Sequence, residues 1–290
     1  MDAAKPNQED RLVAQFNAMI LSRLEDDKLA IPALPTSMKE ALELVRQNDF
    51  ELTKVGMVIE KEPILAAAVL RLANSAAYAA SGTVTSLKNA ISRLGMRALR
   101  NLVVEVGAEK MFVSRDKRIA SEAQKVWKHS LAVALVARDL RSFSGQPDHD
   151  EAYLAGLLHD IGKPIVAGML LSAEKQLAEG YSGKWIGSDL WTKVLHGSHR
   201  KVGVALAQKW QLPEEVCGAI HGSSDLDPAN RGSLANTVCF ANAVAKSCGI
   251  STRDDKEEAG AMLMVGKSLL GLDDELIGKL VKSLESRMAA

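Results

Sequence analysis

The chain has 290 residues, 47% of them apolar and only 4% aromatic, enough for a sizeable core in one large or two smaller domains. Thirty-six basic residues balance thirty-six acidic ones, so the formal net charge is zero, which excludes the general basic footprint of a nucleic-acid-binding domain but not a local patch. The three cysteines, Cys217, Cys239 and Cys248, lack CxxC spacing, which excludes a disulfide framework or a zinc knuckle and suits a reducing cytoplasm.

The opening MDAAKPNQED is polar and is no signal peptide. No apolar run reaches the length needed to cross a bilayer, so no membrane partner is expected. Residues 1–10 are expected to be loose. From Arg11 to Leu24, the residues Leu12, Val13, Phe16, Met19, Ile20 and Leu24 trace a helical stripe. Pro32 and Pro35 give a rigid entry to a helix capped by Thr36 or Ser37, with Glu40 in its first turn. Asn48-Asp49 breaks that helix and Thr53 starts another. Pro63 opens PILAAAVLRLANSAAY, with proline in the favoured first turn. Asn74-Ser75, after that apolar helix, are read either as a cap or as a contact with the other lobe. Gly82 and Thr83-Val84-Thr85 form a loop, Ser86 caps the next helix, and Gly95 divides it in two.

The polar stretch 114–122 is the best internal boundary. Beyond it, AQKVWKHSLAVALVARDL is a helix with His129 inside, and SGQPDHD is a turn that leaves His149 exposed. Residues 151–166, EAYLAGLLHDIGKPIV, form the stretch on which the rest turns. Leu154, Leu157, Leu158 and Ile161 recur at helical spacing, yet His159-Asp160 sits among them, and Gly162 and Pro164 end or kink the helix. Burying a carboxylate is costly unless a cation, donor or metal meets it. Residues 172–190 are a helix and a Gly-rich loop, Leu190–Trp210 a helix with His196 and His199, and QLPEEVCGAIHG a helix ending near His221. SLANTVCFANAVAKSC is a helix with Asn242, STRDDKEEAG a solvated spacer, and 259–286 one or two amphipathic helices. With no alternating strand pattern, the fold class is all-α.

His129, His159, His199 and His221 thus come from four successive helices, with Asp160 beside His159. Helical bundles build metal sites from one inward ligand per helix, and imidazole with carboxylate suits Zn, Fe, Mn or Ni. Each residue also has a plainer reading, as a core histidine satisfied by its neighbours or an aspartate paired with a buried cation.

LLHDIGK with an upstream His129 resembles the HD superfamily of metal-dependent phosphohydrolases. The ordered series IPALPTSMKEAL, KEPILAAAVLRLANSAAY, TSLKNAISRLGMRALRNLVV, HDIGK and HRKVGVALAQKWQLPEEVCGAI resembles the HDOD domain, the HD-related output domain of bacterial signalling, over about residues 28–245. The resemblance implies an HD-like helical bundle (120–245) packed against an N-terminal helical lobe (28–115). An N-terminal extension (1–27) and a C-terminal helical segment (246–290) flank the two lobes. It gives His129, His159 and Asp160 as metal ligands, with His199 and His221 as added ligands and Lys163 near a phosphate. Asn242 stands where the closing aspartate is expected, and the GYP signature of the cyclic-di-GMP hydrolases is absent. The implied function is regulatory: a cytoplasmic bacterial protein, free to form a homodimer, binding signalling partners or a nucleotide-like ligand between its lobes. The alternative is a metal-dependent phosphohydrolase in which Asp160 and Lys163 are the catalytic candidates.

Overall fold

In a computed structural model, the described residues are 8–26, 31–47, 51–78, 82–114, 116–178, 188–252 and 256–289, and all their regular structure is helical. The first lobe holds α2 (Thr36–Val45), α3 (Leu52–Glu60), α4 (Pro63–Ala73) and α5 (Leu87–Glu109). The second holds α6 (Lys117–Phe143), α7 (His149–Leu158), α8 (Gly162–Ala178), α9 (Ser188–Lys209), α10 (Glu214–Gly222) and α11 (Leu234–Ser247). The N-terminal α1 (Gln8–Glu25) packs on α9, with Lys193 on α9 meeting Glu9 at 3.0 Å. The C-terminal α12 (Lys256–Leu270) packs on α11, and α13 (Asp274–Met288) on α6.

The apolar spacing explains these faces. In α2 the buried Met38, Ala41, Leu42 and Val45 fall at i, i+3, i+4 and i+7, one stripe of a 3.6-residue helix. The central α7 is buried from Ala152 to Leu158 on every side, because α5, α6, α10 and α11 all pack against it.

Several local expectations are corrected. Pro35, not Thr36 or Ser37, occupies the N-cap of α2 without a side-chain cap, and the Ser37 hydroxyl donates to Glu62 instead. α3 begins at Leu52, one residue before Thr53. Two other expectations hold: Ser86 caps α5, accepting from the Asn89 amide, and Gly95, non-helical at φ 72°, divides α5 into two helical segments. Asn74 does not reach the other lobe; its amide ties the 82–86 loop through both backbone groups of Val84. The boundary at 114–122 is shorter than expected, since α6 begins at Lys117. The expected break at Asn48-Asp49, the loop at 179–187 and residues 1–7 lie outside the described residues.

The stretch 151–166 is not one helix. α7 stops at Leu158, His159–Ile161 make a turn, and Gly162 opens α8 with Pro164 in its first turn, where a missing N–H costs nothing. Residues 149–173 are also apolar and long enough by composition to cross a bilayer, contrary to expectation, and 61% of that window is buried in the fold, as in a core helix.

The lobes are joined by polar contacts at the edge of the apolar core. Arg46, just past α2, donates to the carbonyls of Trp210 (2.8 Å) and Gln211 (2.6 Å), stopping the free carbonyls at the end of α9. Across α5 and α7, Arg100 pairs with Glu151 at 2.9 Å, and the Tyr153 hydroxyl donates to Glu105 at 2.8 Å. Burial pushes the Glu105 carboxyl above its ordinary range, against the Tyr153 hydrogen bond, which favours the charged form. A carboxyl raised in the folded state contributes stability below its unfolded value and loses it as pH rises through the folded one. The Tm should therefore fall as pH is raised past the ordinary carboxylate range, and Glu105→Gln should flatten that part of the profile; a parallel profile for the variant would show the seam insensitive to this group.

Candidate metal centre

The site lies where α6, the α7–α8 turn, α9 and α11 meet. His129 comes from α6, His159 and Asp160 from the turn, and His199 from α9; all four are at most 3% exposed. Candidate ligand atoms of His129, His159 and Asp160 lie within 4.8 Å of one another. The His129 and His159 rings meet edge-on at 5.4 Å. Asp160 offers its two oxygens to opposite sides: Oδ2 is 3.4 Å from His159 Nε2 and 2.6 Å from Lys163 Nζ, and Oδ1 is 3.3 Å from His199 Nε2.

The orientation of the rings has one cause. His129 Nδ1 lies 2.7 Å from the Ile250 carbonyl, His159 Nδ1 2.7 Å from that of Gly156, and His199 Nδ1 2.7 Å from that of Leu195. A carbonyl only accepts, so each Nδ1 carries a proton, and in the neutral His129 and His159 rings Nε2 is left as a lone pair. Backbone carbonyls behind metal-binding imidazoles fix the tautomer in this way. Burial holds His129 below its ordinary value, and holds His159 down at about 4, so both rings are neutral at pH 7. Burial alone would raise the Asp160 carboxyl, yet the neighbouring His159 and Lys163 and the His199 hydrogen bond carry it well below the carboxylate range. His159 Nε2 is buried with no hydrogen-bond partner, as is Asn242 Oδ1. The His159 lone pair and a carboxylate oxygen facing each other at 3.4 Å call for a cation between them. These residues fit a divalent ion, and the donor set of imidazole with carboxylate is that of Zn, Fe, Mn or Ni.

Not every expected ligand arrives. His221 is exposed at the end of α10, which packs on α7, α9 and α11, and it lines a different cavity, of about 1010 Å³, with Arg97 and Arg141. His196 is exposed beside His199, their rings 5.8 Å apart, at the mouth of the site. His149 is 40% exposed by side chain, outside the cluster. Asn242 and Lys163 do line the site. That cavity, about 940 Å³, takes its lining from residues 129–258, so it lies within the second lobe and α12 rather than between the lobes, where the ligand was expected. The Ile250 carbonyl, Arg200, Glu257 and Glu258 were missed: a backbone acceptor leaves no mark in sequence, and surface-type charges on a helix read as solvated.

The HDOD domain family matches residues 31–226. The chain belongs to the HDOD family. An uncharacterized protein of Treponema pallidum is 28% identical over 229 residues, 78% of this HDOD chain and 43% of its own length. Ribonuclease Y of Thermus thermophilus is 31% identical over 140 residues, 48% of this chain and 19% of its own. The chain thus spans less than half the length of both relatives. A candidate metal-dependent phosphohydrolase from Shewanella amazonensis shares the fold at 22% identity, covering 96% of this chain and 98% of its own, with a TM-score of 0.75. The HDOD match ends before Asn242, Ile250 and α12, so part of the wall of the site lies beyond the family's own boundary.

Two glycines let the ligand-bearing elements come this close. A Cβ on Gly156 would fall 2.8 Å from the Ala134 Cα, so α7 rides directly on the backbone of α6 and His159 reaches His129. A Cβ on Gly162 would fall within bonding range of the His199 carbonyl oxygen, so the start of α8 abuts the backbone of α9 where it carries His199. Backbone cannot swing aside as a side chain does. Gly162→Ala should therefore cost about 1–3 kcal/mol of stability, as overpacking does, and weaken binding of added Mn²⁺. Gly168→Ala on the same helix, where a Cβ meets nothing within 4 Å, should leave binding intact and gain up to ~1 kcal/mol. Chemical denaturation and metal titration of the two variants check this, and equal behaviour would refute it.

Proposed function

We propose that this HDOD protein is a bacterial, cytoplasmic regulatory protein that holds a divalent metal and a phosphate-bearing ligand in the second lobe, with weak or absent catalysis, and passes the bound state to a signalling partner. The observation that carries this reading is Asn242. Its Oδ1 is buried without a partner beside the His129–His159–Asp160 group, at the position that the family resemblance gives to a closing aspartate. An amide carbonyl can ligate a metal but adds no charge. Hydrolysis needs a centre that holds its ion tightly and lowers the pKa of a bound water, and one carboxylate fewer weakens the hold.

The second reading, a metal-dependent phosphohydrolase, is favoured by the convergence of three ligand atoms within 4.8 Å. In that case the ion would supply Lewis acidity and an activated water. The protein's own part would be narrower. His129, His159 and Asp160 would hold the ion, and His199 would sit on the other carboxylate oxygen. Lys163 donates to Asp160, so it tunes the carboxylate first and adds its charge to any phosphate second.

Elemental analysis and turnover separate the two readings. The proposal expects about one divalent ion per chain after Mn²⁺ loading, loss of that ion and a lower Tm on chelation, and negligible turnover of generic and cyclic-dinucleotide phosphoesters. Asn242→Asp should tighten the metal and raise turnover above the parent. Stoichiometric turnover by the unaltered protein, abolished in Asp160→Asn, would establish the hydrolase instead.

A further inference from the structure

The cavity over the metal centre is lined by charges of both signs, Lys163 and Lys246 among the cations, and three of the charges are unspent. On one wall Arg200, on α9 next to His199, is half-buried and makes no hydrogen bond or ion pair among the described residues. At the opposite end of the lining in sequence, Glu257 and Glu258 in the first turn of α12 are exposed, and they too make no hydrogen bond or ion pair among the described residues. Such groups on a surface usually find partners or face bulk water; here all three face one cavity of about 940 Å³. Asp225 joins them there, with one oxygen taken by the Ser224 hydroxyl at 2.7 Å. In the same lining His159 is 3% exposed and its Nε2 has no partner, so a buried polar atom there also awaits a ligand.

What the described lining lacks narrows the ligand. It holds no Phe, Tyr or Trp and no aliphatic side chain larger than the methyl of Thr252. A purine or pyrimidine is held by stacking on flat apolar faces, worth about 1–3 kcal/mol per base. The described walls offer that base no aromatic ring besides imidazole, and no apolar slot.

Resting on the phosphate-binding reading above, we propose that the ligand is a compact aminoalkyl phosphate rather than a nucleotide: its phosphate faces the metal centre and Arg200, and its ammonium faces Glu257 and Glu258. Guanidinium and phosphate match in geometry, and an ammonium is a point charge that two carboxylates can share.

The test uses the full Mn²⁺-loaded chain and calorimetric titration with inorganic phosphate, glycerol 3-phosphate, 2-aminoethyl phosphate and adenosine monophosphate. The expected order places 2-aminoethyl phosphate at least tenfold tighter than glycerol 3-phosphate and adenosine monophosphate. The double variant Glu257→Gln, Glu258→Gln, both exposed and so harmless to folding, should erase that preference while leaving glycerol 3-phosphate unchanged. Arg200→Gln should weaken every phosphate about tenfold. If phosphate and glycerol 3-phosphate bind but the amine adds nothing, or if adenosine monophosphate binds tightest, this inference falls and the phosphate-binding reading stands. If none of the four binds, both fall together.

Discussion

The structure depends on one arrangement: a buried carboxylate, Asp160, surrounded by imidazoles whose outer nitrogens are already committed to backbone carbonyls. Each carbonyl belongs to the frame. Gly156 and Leu195 lie one turn back from their histidines on α7 and α9, and Ile250 follows α11. The helices therefore do more than carry the rings. They decide which nitrogen faces inward, and the inward nitrogen of His159 finds no hydrogen-bond partner in the fold. A core histidine satisfied by its neighbours, the plainer reading of these residues, would show both nitrogens engaged; His159 shows one.

Bringing four elements to one carboxylate requires backbones to touch, and here the small residues matter more than the large ones. Gly156 against Ala134 and Gly162 against His199 set the separations of α6, α7, α8 and α9. The apolar residues then lock the result, since Leu154, Leu157, Leu158 and Ile161 around the HD turn are fully buried. The two outer segments complete it. α13 is pinned to α6 by an ion pair between Arg287 and Asp139, which also accepts from the Ser283 hydroxyl at 2.8 Å.

Much of this was legible in the sequence because helices repeat their chemistry every 3.6 residues. The faces of α2 and α7, the Ser86 cap and the kink at Gly95 all followed from spacing and residue type. So did the meeting of His129, His159, Asp160 and His199, since each is a polar group stranded on an apolar helix. His221 looked the same on paper and failed, because its place in the last turn of α10 is decided by how that helix is rotated, which no local pattern records. Thr36 and Ser37 misled for a similar reason: a good capping residue caps only if the chain enters at the right angle, and Pro35 sets that angle. The break at His159–Ile161 came earlier than Gly162 and Pro164 suggested, since Gly162 is used for contact with α9 rather than to end a helix.

On the proposed reading, Asn242 in the place of a closing carboxylate bears on more than turnover. His129, His159 and Asp160 bring a single negative charge to a divalent ion, and Lys163, 2.6 Å from Asp160, already offsets part of it. Such a centre stays net positive in a buried, low-dielectric setting where unscreened charge is strongly felt. An anion arriving there is attracted more than it would be by a centre with two carboxylates, and it leaves more slowly. The same amide that loosens the hold on the ion thus makes a bound phosphate harder to release. Catalysis needs release as well as attack, whereas a regulatory domain needs an occupied state that lasts long enough to be read by a partner. On that reading, one amide in place of one acid shifts the centre toward holding its anion rather than releasing it.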